Sequence, residues 1–329
     1  MIPFLLRRIL ALVPTLIGIT LLTFLILNLL PADPLRTWST GGPVPSAEAR
    51  ARLSAELRSD EGPGARYLSW NLALLRGDLG QSLRDGRPVG QVVAEALPWT
   101  IVLNGCAIFL IYGLAVPFGL LGGMAPGSAF DRLGSGLLLV LYSLPSFAAA
   151  LLLQEAFSVR LGLLPLQGTA SAGAAASLAG ATLDHLRHLI LPTVCLALMG
   201  WAFVARYARA AFRAVAGNNF IAVVRSKGLS RRGAARHVVA NTAVSLLTHV
   251  AAIIPGLVGG SVIVEQVFSW PGLGRLYLSS IEGRDYPVVL GLTLLSAVAV
   301  LGGQFLVDLL YMAADPKLRD QLLGTEAGA

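Results

Sequence analysis

The chain of 329 residues contains two lysines, Lys227 and Lys317. A phosphate-cradling loop needs its lysine directly after a glycine and before Ser or Thr. Here Ser226 precedes one lysine and Pro316 the other, so the polypeptide has no P-loop with which to hydrolyse a nucleotide. A serine nucleophile working with a histidine inside an apolar bundle would call for Gly-x-Ser-Gly. The nearest matches are Gly134-Ser135-Gly136, preceded by Leu133, and Gly259-Gly260-Ser261, followed by Val262. Neither completes the motif, nothing ties His249 to either, and glycine and serine in apolar helices serve close packing. Asp184, His185 and His188 have i, i+3 and i, i+4 spacings that share one helix face and can be read as a metal cluster. The simpler reading is a helix starting at the membrane edge, with Asp184 as its cap and the histidines in the interface. No catalytic residue, metal or cofactor is assigned. Glu265 and Asp308 fall near span edges, where an acid is either functional or reaches interfacial water; both readings stay open.

The segment from Arg206 to His237 says more. It holds Arg206, Arg209, Arg213, Arg225, Lys227, Arg231, Arg232 and Arg236 without one Asp or Glu. Within it Phe220, Val223 and Val224 recur at helical spacing as an apolar stripe, while Arg225 and Lys227 fall elsewhere on the turn. Gly228 stops that helix, and after Leu229 the hydroxyl of Ser230 is placed to cap a second helix through His237. An exposed apolar stripe of this kind suits a partner protein. It equally suits a basic anchor on lipid headgroups, and periodicity does not choose between them.

These residues must be carried by elements that composition identifies. The chain is 55% hydrophobic and 13% charged, with mean hydropathy +0.71, against about 25% charged in soluble domains. That excludes soluble globular, disordered and collagen-like classes. The net charge of +7 therefore belongs to loops at a membrane rather than to a nucleic-acid surface. Cys106 and Cys195 lie in apolar runs and read as buried free thiols. With about 1.5 Å of rise per residue and a hydrocarbon core about 30 Å thick, six spans are expected: Ile9–Leu30, Leu97–Met124, Leu133–Phe157, His188–Val204 (interrupted by Pro192), Val244–Val264 and Val288–Met312. The first follows Arg7-Arg8, is too long for a signal peptide's apolar region, and lacks a cleavage site, so it reads as an uncleaved anchor. The basic, acid-free segment 206–237 places itself and both termini in the cytoplasm. Residues 31–96, balanced in Arg and acids, are expected to form a partly helical extracytoplasmic subdomain, and the Ala/Gly/Ser-rich run 167–180 a flexible loop. The expectation is an all-α integral membrane protein: residues 1–96 as first helix plus subdomain, 97–314 as a five-helix core, and 315–329 as a cytoplasmic tail.

At the basic segment the chain resembles the inner-membrane permease subunits of binding-protein-dependent ABC importers, in the branch that takes up peptides and nickel. The resemblance rests on Arg225-Ser226-Lys227-Gly228-Leu229-Ser230 with His237 and Asn241. It continues in family order through Leu6-Arg7-Arg8, Leu30-Pro31-Ala32-Asp33-Pro34, Gly77-Asp78-Leu79-Gly80-Gln81-Ser82, Arg87-Pro88-Val89 and Leu97-Pro98-Trp99-Thr100. Leu144-Pro145-Ser146-Phe147, Leu161-Gly162-Leu163-Leu164-Pro165, His188-Leu189-Ile190-Leu191-Pro192, Glu265, Phe268, Pro271-Gly272-Leu273-Gly274 and Asp285-Tyr286-Pro287 complete it. Ser245 stands where the family usually has Pro, and Ala240 where it usually has Arg. The resemblance implies a cytoplasmic coupling helix between the fourth and fifth spans: Phe220, Val223 and Val224 insert into a separate ATPase, Arg225 and Lys227 address its surface, and Ser226, Gly228, Leu229, Ser230 and His237 belong to the same coupling element. It further implies a second, homologous permease subunit, cytoplasmic ATP-binding subunits, an extracytoplasmic solute-binding protein and surrounding lipid as partners. Di- or oligopeptides are the first expectation for cargo, with nickel chelates behind; a membrane-anchored interaction protein is the non-transport alternative.

Overall fold

The computed structural model describes residues 2–29, 62–171, 177–217, 239, 242 and 261–314. The expected coupling residues from Phe220 to His237, most of the fifth span, the stretch 30–61 and the tail 315–329 lie outside these. Among the described residues the secondary structure is helical, with no strand beyond a single bridge between Gln81 and Pro88.

The helices, in chain order, are α1 (Ile2–Leu29), α2 (Pro63–Leu75), α3 (Val89–Met124), α4 (Ala129–Ser143) and α5 (Ser146–Leu153), which runs on as π-helix over Gln154–Arg160; then α6 (Leu178–Gly217), α7 (Val262–Val267), α8 (Leu273–Glu282) and α9 (Tyr286–Ala314). Helices α3, α6 and α9 are each long and apolar enough to cross a membrane. Large apolar side chains such as Phe109, Leu133 and Leu178 face outward, as a lipid solvent requires.

Two expected spans take a different form. Leu133–Phe157 is not one helix: α4 stops at Ser143, α5 starts at Ser146, and the pair is bent by 101°. The cause is Pro145, which lacks an N–H and pushes Leu144 into extended backbone (ψ 125°). The fourth span is longer than His188–Val204. α6 runs 40 residues and passes through Pro192 without ending. Its start is capped by Ser177, whose Oγ accepts from Gly180 N at 3.2 Å, so Asp184 lies inside the helix and is not the cap. The C-terminal part of α6 carries Arg206, Arg209 and Arg213, which are therefore helical and not part of a loop.

The described residues fall into two compact units, one drawn from 1–100 and 271–305, the other from 101–270 and 306–329. In the first, Val89, Val93 and Ala96 of α3 pack with Leu273 of α8 and Val288 and Leu292 of α9. Gly291 admits the Val89 side chain so closely that a Cβ there would meet it at 2.8 Å. Also in this unit α2 lies along α1: the Tyr67 hydroxyl hydrogen-bonds with Thr20 Oγ1 at 2.9 Å and donates to Ile17 O at 3.1 Å, and its ring centroid is 5.3 Å from that of Phe24. The second unit is built on Ile111 and Ala115 of α3, Leu138 of α4 and Ala197, Ala202, Val204 and Ala205 of α6.

Candidate functional site

None of the coupling residues inferred from sequence, Phe220, Val223, Val224, Arg225, Ser226, Lys227, Gly228, Leu229, Ser230 or His237, is among the described residues. The described residues form the scaffold ahead of them and the clusters into which the other motifs assemble.

The helix leading into the segment is α6, which ends at Gly217. Two of its arginines are committed to intramolecular contacts. Arg206 donates from Nε to Ala202 O (3.2 Å) and holds its guanidinium 4.7 Å from the centre of the Tyr142 ring, an attraction between cation and ring face. Arg209 donates from Nη2 to Asp131 Oδ2 at 2.6 Å and from Nη1 to Ser135 Oγ at 3.0 Å. Arg213 is exposed. The Asp131–Arg209 pair went unread in the sequence. Its signal was Ser128-x-x-Asp131, a capping arrangement in which Ser128 Oγ accepts from Asp131 N at 3.1 Å.

In the first unit, motifs far apart in the chain become one cluster. Gly80 and Gly86 take positive φ (84° and 71°) that side chains resist, folding 77–88 into a tight loop closed by Ser82 N donating to Arg87 O (2.8 Å). Into this loop reaches Asp285, just ahead of α9. Its Oδ2 accepts from Ser82 Oγ at 2.5 Å and its Oδ1 from Leu83 N at 3.0 Å. α8 begins at Gly272, which has no capping side chain; Thr100 Oγ1 supplies the missing acceptor, taking Leu273 N at 2.7 Å. Thus the 77–82, 97–100, 271–274 and 285–287 motifs are positioned by one another.

Burial raises the Asp285 pKa above the ordinary carboxylate value of 3.8, and hydrogen bonds from Ser82 and from backbone amides only partly offset this. A carboxyl raised in the fold stabilises it fully below its unfolded pKa, and that contribution is lost as pH rises through the folded value. The first unit should therefore gain thermal stability as pH falls from neutrality towards the carboxylate range. Asp285→Asn, whose amide oxygen can still accept from Leu83 N while its Nδ2 donates to Ser82 Oγ in place of accepting from it, removes the titration and should flatten that dependence. Asp285→Ala, which strands a hydroxyl and a backbone N–H, should cost about 1–3 kcal/mol. Melting curves of the three proteins across pH check this; a wild-type profile that Asp285→Asn leaves unaltered would contradict it.

In the second unit the π-helical end of α5 is tied to its neighbours. Gln154 Nε2 donates to Leu166 O (2.9 Å) and Val267 O (3.3 Å), and Ser158 Oγ to Pro165 O (3.0 Å). Gly168 N donates to Phe268 O at 2.8 Å. Glu265 is fully buried and accepts from Ser261 Oγ at 3.0 Å, so it does not reach interfacial water. The described side chains do not include Asp308. Asp184 receives Ser171 N (2.6 Å) and Ser171 Oγ (2.7 Å), and His188, buried, turns its Nδ1 to Asp184 O at 2.8 Å. This fastens residue 171, inside the expected flexible loop, to α6.

Residues 115–320 match the family described as binding-protein-dependent transport system inner membrane component. Three relatives are similar along nearly their whole length. The oligopeptide transport system permease protein AppB of Bacillus subtilis is 33% identical, covering 96% of this chain and 98% of its own. The dipeptide transport system permease protein DppB of Escherichia coli is 34% identical (97% and 99%). The glutathione transport system permease protein GsiC of Salmonella typhimurium is 32% identical (97% and 99%).

Proposed function

The chain belongs to the binding-protein-dependent transport system inner membrane components, and from that membership we propose that it is the transmembrane permease subunit of a peptide importer, forming half of the translocation pathway. The observation that carries this is the near full-length similarity to oligopeptide, dipeptide and glutathione transport permeases. The three long apolar helices support residence in the membrane as a multi-pass protein.

On this reading a homologous permease supplies the other half of the pathway, and an extracytoplasmic solute-binding protein delivers peptide to it. ATP is hydrolysed by separate cytoplasmic subunits. The cycle is alternating access: nucleotide binding closes the ATPases, and the closed state is coupled to one of two arrangements of the spans. The coupling element is the segment after α6, with Phe220, Val223 and Val224 as apolar anchors, Arg225, Ser226, Lys227, Leu229 and Ser230 at the contact rim, Gly228 ending the first helix and His237 in the second. We place six spans in the inner membrane with both termini cytoplasmic, divided as 1–96, 97–314 and 315–329. The subdomain of 31–96 is extracytoplasmic, and lipid covers the outward apolar faces.

Cysteine labelling tests the orientation. In a background without Cys106 and Cys195, Ser230→Cys should react only from the cytoplasmic side and Gly62→Cys only from outside. Labelling of both from one side would refute the topology.

A further inference from the structure

Helices α3, α4 and α6 close on one another near the end of α6 that leads to the coupling segment, and they do so through glycines. A Cβ on Gly119 would stand 2.3 Å from Ala205 O, and one on Gly123 would stand 2.9 Å from the Phe212 ring. A Cβ on Gly134 of α4 would meet the Phe118 ring at 2.7 Å. Such surfaces permit close approach, but apart from the Phe118 and Phe212 rings they are made of small groups, which offer little resistance to one helix sliding or turning on another.

Asp131 and Arg209 supply that resistance. The Asp131 side chain is 4% exposed and that of Arg209 29%, and the pair is 2.6 Å apart. Oδ2 of Asp131 also accepts from Gly127 N at 2.9 Å, while Arg209 holds Ser135 one turn along α4. Stability alone does not explain a buried ion pair, since apolar residues of similar volume commonly serve as well. What the pair adds is register: any slip of α6 along α4 strands an anion in an apolar surrounding. The pair also uses one arm only. Asp131 Oδ1 and Arg209 Nε are buried without a hydrogen-bond partner, which leaves the two-armed fork as a second arrangement. A contact with two arrangements is the kind of element whose equilibrium two distant sites can both bias.

We propose that Asp131 and Arg209 form the positioning pair that makes α4 follow α6 when ATPase closure displaces the coupling segment. Arg209 lies in the same continuous helix, described as far as Gly217, three positions before Phe220 in the sequence. The inference rests on the permease reading given above.

The test uses the complete complex in proteoliposomes: both permeases, the ATPases and the binding protein. Three readouts are taken: ATP hydrolysis, uptake of an isotopically labelled mixture of short peptides, and the maleimide labelling rate of Ala129→Cys on α4, in a background free of other cysteines. Ala129 is the first residue of α4, exposed, and ahead of the expected span Leu133–Phe157. In D131N, ATPase assembly and hydrolysis should persist while uptake per ATP falls about tenfold and the ATP-induced change in Ala129→Cys labelling disappears. R209K, which keeps the charge but cannot form the fork, should assemble and hydrolyse ATP yet lose most of the labelling change and of the uptake per ATP. The proposal is overturned if D131N keeps the wild-type labelling response and transport ratio, or if hydrolysis and uptake fall in parallel. It is likewise overturned if neither D131N nor R209K assembles, since the pair is then only a folding element. If wild type shows the ATP-induced labelling change but no peptide uptake, the peptide reading fails while the D131N labelling comparison still decides the pair. A wild-type complex with no ATP response overturns both.

Discussion

Replacing Gly119 by alanine should lower the stability of the second unit by about 1–3 kcal/mol, the usual cost of forcing extra volume into a packed contact. The added Cβ would lie 2.3 Å from Ala205 O and 2.8 Å from Ala208 Cβ. A backbone carbonyl in mid-helix cannot swing aside as the tip of a long side chain does, so α3 and α6 must separate. Gly113, on the same helix, has nothing within 4 Å of its Cβ position. Gly113→Ala should be neutral or stabilise by up to about 1 kcal/mol through reduced backbone entropy loss. The check is thermal unfolding of the purified chain with both variants measured side by side. Equal melting temperatures for Gly119→Ala and Gly113→Ala would show that the close approach of α3 and α6 is wrong.

The second large effect concerns the coupling segment. Val223 and Val224 truncated together to alanine should weaken ATPase docking by about 1–3 kcal/mol, at about 0.8 kcal/mol per buried methylene-sized group. That is roughly a 5- to 150-fold loss of affinity. Gly228→Val should be at least as damaging, because a β-branched residue is a poor terminator of the first helix where glycine is a good one. Charge reversal at Arg225 or Lys227 should act differently, making assembly more sensitive to salt while altering final affinity less, as rim charges do. Co-purification of the ATPase and peptide uptake are measured in parallel. If the Gly228 and Val223/Val224 variants leave both unchanged, the segment is a lipid-facing basic anchor and the coupling assignment falls.

The apolar spans were legible because lipid leaves a signal in every residue of a helix; the breaks and ties inside them were less so. Leu144-Pro145 stands in the sequence, yet a proline breaks one helix and leaves another uninterrupted. Pro145 divides α4 from α5 at 101°, while Pro192 sits inside a 40-residue helix. The difference lies in the surroundings of each proline, which composition does not report. A basic run flanking a span normally faces water, yet Arg206 and Arg209 are helical, and Tyr142 and Asp131 engage them. Asp184 had the right type for a cap, but Ser177 holds that place one to two turns earlier. Asp285 and Ser82 are separated by 203 positions, and no local pattern links a carboxylate to the loop it organises at such a distance. The motifs quoted from that loop were recognisable one by one; their meeting was not.

If this chain is, as proposed, the transmembrane half-pathway of a peptide importer powered by other subunits, peptide uptake depends on its presence. The most direct measurement is ATP-dependent uptake of labelled short peptides into proteoliposomes assembled from the partner permease, the ATPases and the binding protein, with and without this chain, alongside ATP hydrolysis by this chain alone. Uptake should occur only when the chain is present, and the chain in isolation should hydrolyse no ATP. Uptake undiminished by its omission, or steady ATP turnover by the purified chain, would contradict the proposal.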